Sequence, residues 1–146
     1  AYLQREAWEQ FKAMADQART EGIRLWNVSS YRSYGTQERV YDRYVSQDGQ
    51  SLADTYSARP GSSEHQTGLA LDINTASVQA HFENTPTYAW LVEHCAEYGF
   101  ILRYPEGKER ITGYRFEPWH YRYVGVEAAT EIMERGITLE EYLGVA

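Results

Sequence analysis

From residue 2 to residue 21, apolar side chains recur at helical spacing: Leu3, Ala7, Trp8, Phe11, Met14, Ala15 and Ala18 gather on one side. Gly22 supplies the stop, so the pattern predicts an amphipathic helix over 2–21. Ile23-Arg24-Leu25-Trp26-Asn27-Val28 alternates with a period of two and predicts a short strand. Ser29 to Gly35 is polar and loop-like. Thr36 then caps a predicted helix through Gln37, Val40, Tyr41 and Val45 to about Asp48, ended by Gly49. Residues 51–64 read as irregular, with a turn-rich loop at Ala58-Arg59-Pro60-Gly61-Ser62-Ser63.

The second half is more apolar. Leu69-Ala70-Leu71-Asp72-Ile73 predicts a buried strand. Tyr88 to Tyr98 predicts a helix closed by Gly99, and Phe100-Ile101-Leu102 starts another strand. Ile111 to Val124 predicts a pair of strands broken at Pro118. A helix is expected from Glu127 to Arg135, before Gly136. A short final helix follows, capped by Thr138 with Glu141 in the capping-box position. Helices and short strands alternate irregularly, which predicts an α+β fold: a central antiparallel sheet flanked by helices. No repeat or linker divides the chain, so residues 1–146 are expected to form a single domain.

Composition narrows the function. The net charge of −7 disfavours partners gripped through phosphates, so no nucleic acid is expected. No apolar run is long enough for a membrane span. The only cysteine, Cys95, rules out an intrachain disulfide framework and a CxxC zinc site. The aromatic share of 14% suits a wall for a peptide or sugar ligand, and arginines far outnumber lysines, which suits bidentate capture of carboxylates. A monomer is the default expectation.

Two stretches carry candidate chemistry. In Ser62-Ser63-Glu64-His65-Gln66-Thr67-Gly68-Leu69-Ala70-Leu71-Asp72, a His precedes a glycine turn and an Asp sits inside an apolar strand. Burying Asp72 is costly unless it is paired or binds a metal. In Glu117-Pro118-Trp119-His120, a Glu and a His sit among Tyr114, Phe116, Tyr121 and Tyr123. His65, Asp72 and His120, with Glu117 to spare, form the inventory of a catalytic zinc site. Glu117 would then take a proton from water and pass it to a leaving amine. The spacing is not the helical HExxH, and each residue has a plainer explanation. Asp72 would pair equally well with an arginine, Glu117 would serve as a surface charge, and His81 and His94 fit ordinary surface or core roles. Arg32 would hold a substrate carboxylate or form a salt bridge. Ser63 and Gln37 would cap a turn or a helix, and Tyr104 and Trp119 would line a pocket or pack the core.

With these residues in view, the sequence resembles the VanY-type zinc D-alanyl-D-alanine carboxypeptidases and the related L,D-carboxypeptidases of bacterial peptidoglycan metabolism. The match lies in Ser30-Tyr31-Arg32-Ser33 with Gln37, in Ser63-x-His65-x-x-Gly68-x-Ala70-x-Asp72, and in Glu117-Pro118-Trp119-His120-Tyr121-Arg122-Tyr123-Val124-Gly125. It runs from the first helix to the last; Ser30 stands where the family has Gly, away from the chemistry. The resemblance implies one zinc ion held by His65, Asp72 and His120, with Glu117 as catalytic base. It implies that Arg32, Gln37 and Ser63 hold the substrate's terminal carboxylate while Tyr104 and Trp119 shape the pocket. It also implies the Hedgehog/D,D-peptidase type of α+β fold, and a peptidoglycan stem peptide or its precursor as substrate. The expected reaction is D,D-carboxypeptidase removal of the last D-Ala from a pentapeptide, with L,D-carboxypeptidase action on tetrapeptides as the alternative.

Other classes remain as alternatives. A non-catalytic module for cell-wall peptides would be expected to lack the base or a ligand, and none is missing. A serine hydrolase built on Ser63, His65 and Asp72 lacks the GxSxG elbow. A cysteine protease built on His94 and Cys95 would need adjacent helical residues to face each other. Ala1 to Glu6 opens directly into the helical pattern without a leader. Mature peptidoglycan lies outside the membrane, so the expected context is exported, extracellular or envelope-associated, with any leader or anchor outside this sequence. A cytosolic form acting on precursors is the alternative.

Overall fold

The computed structural model describes residues 3–29 and 64–145. The predicted helix from Thr36 to Asp48 and the loop at 58–63 lie outside the described residues. The first helix, α1 (Arg5–Thr20), buries Ala7, Phe11, Met14 and Ala18, the stripe expected from its spacing. Gly22, at φ +81°, turns the chain, and the Ile23 N–H closes back on the Ala18 carbonyl at 2.9 Å. The strand β1 (Trp26–Ser29) starts later than its alternating pattern. Ile23 and Leu25 pack against the core ahead of it, whereas Trp26 and Val28 are exposed.

The other strands are β2 (Ala70–Asn74), β3 (Phe100–Leu102) and β4 (His120–Tyr123). Together with β1 they form an antiparallel sheet in the order β1-β2-β4-β3. The α+β architecture with a central antiparallel sheet is therefore as expected. The predicted helix over 88–98 is two segments: α2 (Pro86–His94), capped by the Thr85 hydroxyl, and a 3-10 turn at Cys95–Tyr98 that ends at Gly99. The last helices are α4 (Val126–Arg135) and α5 (Leu139–Leu143). At α5, Thr138 and Glu141 make the predicted capping box.

The strand pair predicted over 111–124 needs correction. A one-turn helix, α3 (Glu109–Thr112), occupies its first part, and only β4 is a strand. Gly113 at φ +83° ends the helix. The Thr112 hydroxyl then accepts from the Tyr114 N–H at 3.1 Å, a local turn that the alternation of Ile111, Tyr114 and Phe116 concealed.

The register of β2 on β4 positions the site. Leu71 faces Tyr121, while Ala70 faces Arg122 and Asp72 faces His120. Alternation therefore sends Leu71, Ile73 and Tyr121 to one face and Asp72, His120 and Arg122 to the other. The first set joins the main core with Phe11, Met14, Phe82, Leu91, Phe100 and Leu102. A smaller cluster of Ile101, Ala129 and Ile132 seats α4. Two polar residues opposite each other on a sheet whose other face is full of apolar packing form a fixed platform.

Candidate metal centre

His65 reaches this platform from a 3-10 turn, Glu64–Thr67, that leads into β2. The turn is closed by its own polar groups: the Thr67 hydroxyl donates to the Glu64 carbonyl at 2.6 Å and accepts from the Leu69 N–H at 3.0 Å. Positive φ at Gly68 then redirects the chain into the strand. His65 Nε2 lies 3.2 Å from Asp72 Oδ1, and His120 Nδ1 lies 3.1 Å from the same oxygen. The two imidazole rings meet edge to face, with centroids 5.1 Å apart. One ligand atom from each of His65, Asp72 and His120 lies within 4.8 Å of the others.

Glu117 is buried at the edge of this triangle, its Oε1 3.9 Å from His120 Nδ1. The Glu117 N–H donates to the Tyr104 carbonyl at 3.0 Å, and the His120 N–H donates to the Glu117 carbonyl at 3.3 Å. The turn through Pro118 thus brings a residue three positions before the strand onto the strand's polar face. Tyr104 stacks on His120, with centroids 5.0 Å apart and planes 25° apart, and its far neighbour is Tyr114 at 4.6 Å. Trp119 packs half-buried against the main core, and its carbonyl accepts from the Ile73 N–H at 2.8 Å. Arg32, Gln37 and Ser63 lie outside the described residues.

Pairing with an arginine is the plainer alternative to metal binding for Asp72. Among the described residues, Arg103 and Arg122 pair with Glu64 instead. Glu64 Oε2 accepts from Arg103 Nε at 2.6 Å and from Arg122 at 2.8 Å, while its Oε1 lies 3.1 Å from His120 Nε2. Glu64 was not picked out, although its position beside His65 and the surplus of arginine were the available signals.

Electrostatics follow from this partition. Burial would raise the Asp72 carboxyl, but hydrogen bonds and charge from His120 and His65 hold it well below the usual carboxylate range. Burial opposes ionised Glu64 too, yet His120 and Arg103 bring it down to about 2. Burial favours neutral His120, and the carboxylates of Asp72 and Glu64 override that and push it up to about 10. A buried group framed by two carboxylates is a place where positive charge is strongly favoured. Two imidazole nitrogens and one carboxylate oxygen suit a zinc ion, in the usual catalytic arrangement of three protein ligands plus water or substrate. Among the described residues no arginine pairs with Asp72, and His120 has its second nitrogen tied to Glu64, so the donor set fits such an ion.

The remaining candidates fall away on position. Cys95 is fully buried and its thiol is pushed up to about 12 by desolvation, so it offers no thiolate. His94 sits 2.6 Å from Glu97 and against the Trp90 ring, and His81 is exposed. No helix among the described residues is long and apolar enough to cross a membrane.

Comparison with known proteins agrees with this geometry. The family model described as "VanY: D-alanyl-D-alanine carboxypeptidase" matches residues 1–126. A D-alanyl-D-alanine carboxypeptidase of Enterococcus faecalis (strain ATCC 700802 / V583) is 44% identical over 137 residues, covering 88% of this chain and 50% of the relative. A solved structure of the LdcB LD-carboxypeptidase is similar with a TM-score of 0.90 and 44% identity, over 99% of this chain and 69% of that one. The E175A mutant of the vancomycin-resistance D,D-pentapeptidase VanY, in complex with Zn(II), is similar with a TM-score of 0.88 and 39% identity, over 97% and 83%. The chain spans about half the length of the first curated relatives it matches.

Proposed function

The chain belongs to the VanY family of D-alanyl-D-alanine carboxypeptidases, and from that premise we propose that it is a zinc-dependent D,D-carboxypeptidase removing the C-terminal D-Ala from peptidoglycan stem pentapeptides. The observation that carries this reading is the convergence of His65, Asp72 and His120 on one point, with the Glu117 carboxylate beside it.

In this reading His65 Nε2, Asp72 Oδ1 and His120 Nδ1 hold one zinc ion. When bound, the ion polarises the scissile carbonyl and makes water a stronger nucleophile. Glu117 takes the water's proton on its carboxylate and delivers it to the nitrogen of the leaving D-Ala. Its seat between the Tyr104 carbonyl and the His120 N–H keeps it in place for both transfers. Tyr104 walls the pocket beside His120, and Trp119 supports it from the core. Arg32, with Gln37 and Ser63, holds the free carboxylate of the terminal residue. An Arg left unpaired by an internal peptide bond would be costly, which restricts cutting to the chain end. The whole of 1–146 acts as one catalytic domain, monomeric, exported or associated with the cell envelope.

A second reading has support in the likeness to the LdcB LD-carboxypeptidase: the same centre would remove D-Ala from tetrapeptide stems. Mass spectrometry of digests separates the two. The zinc-loaded protein is incubated with pentapeptide and tetrapeptide muropeptides, each with and without chelator. Chelator-sensitive loss of one alanine from the pentapeptide alone is expected. Loss from the tetrapeptide moves the protein to the L,D branch. No cleavage of either, with zinc bound, overturns both readings in favour of a peptide-binding module.

A further inference from the structure

Glu64 stands in an unusual position for a largely buried carboxylate. Its Oε1 lies on the far edge of His120, 3.1 Å from Nε2, while Nδ1 of the same ring faces Asp72. Its Oε2 takes two guanidiniums, Arg103 and Arg122. Arg103 then spends its other two nitrogens on Glu140 of α5, in a paired fork at 2.7 and 2.8 Å. Arg103 is 8% exposed as a residue and the Glu64 and Glu140 side chains 11% and 18%, so the connection runs through largely dry protein. Two carboxylates and two guanidiniums cancel, leaving no uncompensated charge.

Arg103 also touches His120 by two other routes. Its backbone N–H donates to the His120 carbonyl at 3.1 Å, and its guanidinium lies 4.8 Å over the Tyr104 ring that stacks on His120. The imidazole is thereby gripped on one face by Tyr104 and along its Nε2 edge by Glu64.

We propose that Glu64 is a positioning residue that keeps the Nε2 proton on His120 and aims Nδ1 at the metal centre, and that Glu140, on a helix remote in sequence, holds Glu64 in place through Arg103. A ligating histidine whose second nitrogen donates to a fixed carboxylate has one tautomer, one ring orientation and a more basic donor atom. Buried ion pairs seldom add net stability over apolar packing, so a fold has little reason to keep these four charged groups together for stability alone. Their placement against one ring edge gives them a task. Helix α5 thus becomes a brace of the metal centre. This inference rests on the reading of His120 as a metal ligand.

The test compares zinc affinity, by competition with a chelating dye, in the wild type and in Glu64→Gln, Glu140→Gln and Glu141→Gln, alongside the melting temperature of each. Both relay variants keep side-chain volume and lose charge. Zinc affinity is expected to fall about 10–100-fold in Glu64→Gln, in the range of lost partners behind a metal ligand. A smaller fall in the same direction is expected in Glu140→Gln. Glu141 caps the same helix and pairs with Lys108 at 3.2 Å, but has no link to Glu64. Glu141→Gln is expected to lower the melting temperature and leave zinc affinity unchanged. Equal losses of affinity in Glu140→Gln and Glu141→Gln would mean that loosening α5 is enough, and would overturn the relay. Unchanged affinity in Glu64→Gln would overturn the proposal outright. The imidazole nitrogen spectrum of His120 gives a readout without metal: a slowly exchanging Nε2 proton in the wild type that exchanges faster in Glu64→Gln. If the wild type bound no zinc but kept that protected proton, the metal reading would fall while the positioning role of Glu64 stood.

Discussion

Glu117 and His120 are three residues apart in a segment that is not helical, with the strand beginning only at His120, so no regular element accounts for their meeting. A bend at Pro118 brings them together, pinned by the Glu117 N–H on the Tyr104 carbonyl. The resulting 3.9 Å separation from His120 Nδ1 places the Glu117 carboxylate within reach of the centre while Asp72 and His65 fill the nearer positions. In the proposed reaction, a group so placed would handle protons without being needed to bind the ion. Glu117→Ala is therefore expected to retain one zinc per chain, measured by elemental analysis, and to lose at least ~100-fold in kcat on a pentapeptide substrate. Near-normal kcat with zinc retained would remove Glu117 from the reaction. The types of the site residues were legible in the sequence because buried polar residues inside apolar runs are conspicuous: Asp72 between Leu71 and Ile73, and His120 before Tyr121. Glu64 was legible only as a neighbour of His65. Its value comes from Arg103 and Arg122, 39 and 58 positions away, and no local pattern pairs it with them.

At the scale of elements, the apolar pattern located α1, β2, β3 and α4 because each buries a stripe or a face that the pattern displays, whereas α5 was legible from its capping box. It failed at α3, where one turn of helix is too short to show a period of 3.6 and the apolar residues after Gly113 mimic strand alternation. Gly99 is a place where an element boundary is set by space. It ends the Cys95–Tyr98 turn at φ +85°, and its carbonyl accepts from Val124 and Gly125 at 2.8 and 3.2 Å, joining the start of β3 to the end of β4. A Cβ there would come 2.6 Å from Tyr123 Cε1 and 3.2 Å from the Gly125 backbone. Gly107 has nearly the same φ, +82°, with nothing within 4 Å. Alanine at 107 thus costs backbone strain alone, about 1 kcal/mol. Alanine at 99 adds a collision and is expected to cost about 2–3 kcal/mol. Chemical denaturation of Gly99→Ala and Gly107→Ala measures the difference, and equal midpoints would mean that Tyr123 yields freely.

Across the whole molecule, the metal centre joins segments that are far apart in the chain: the turn at Glu64–Thr67, β2 in the middle of the sheet, and β4 with the bend before it. Three carboxylates, those of Glu64, Asp72 and Glu117, are largely buried around it in a chain already carrying a net charge of −7. A cation held by the folded arrangement, and not by the unfolded chain, offsets that concentration of negative charge and stabilises the fold by linkage. At free zinc 100 times its Kd the gain is about 2.7 kcal/mol. For a domain of this size that corresponds to a melting temperature about 5–10 °C higher. Thermal unfolding of the chelator-treated protein, followed by zinc addition, is expected to show that rise, and magnesium is expected to produce none, because it favours octahedral oxygen coordination over imidazole. The shift should also survive about 0.5 M sodium chloride, since buried charges are screened far less than exposed ones. A rise that salt abolishes would locate the zinc on the acidic surface instead of at His65, Asp72 and His120, because only the buried site is shielded by the packing of the sheet on its other face.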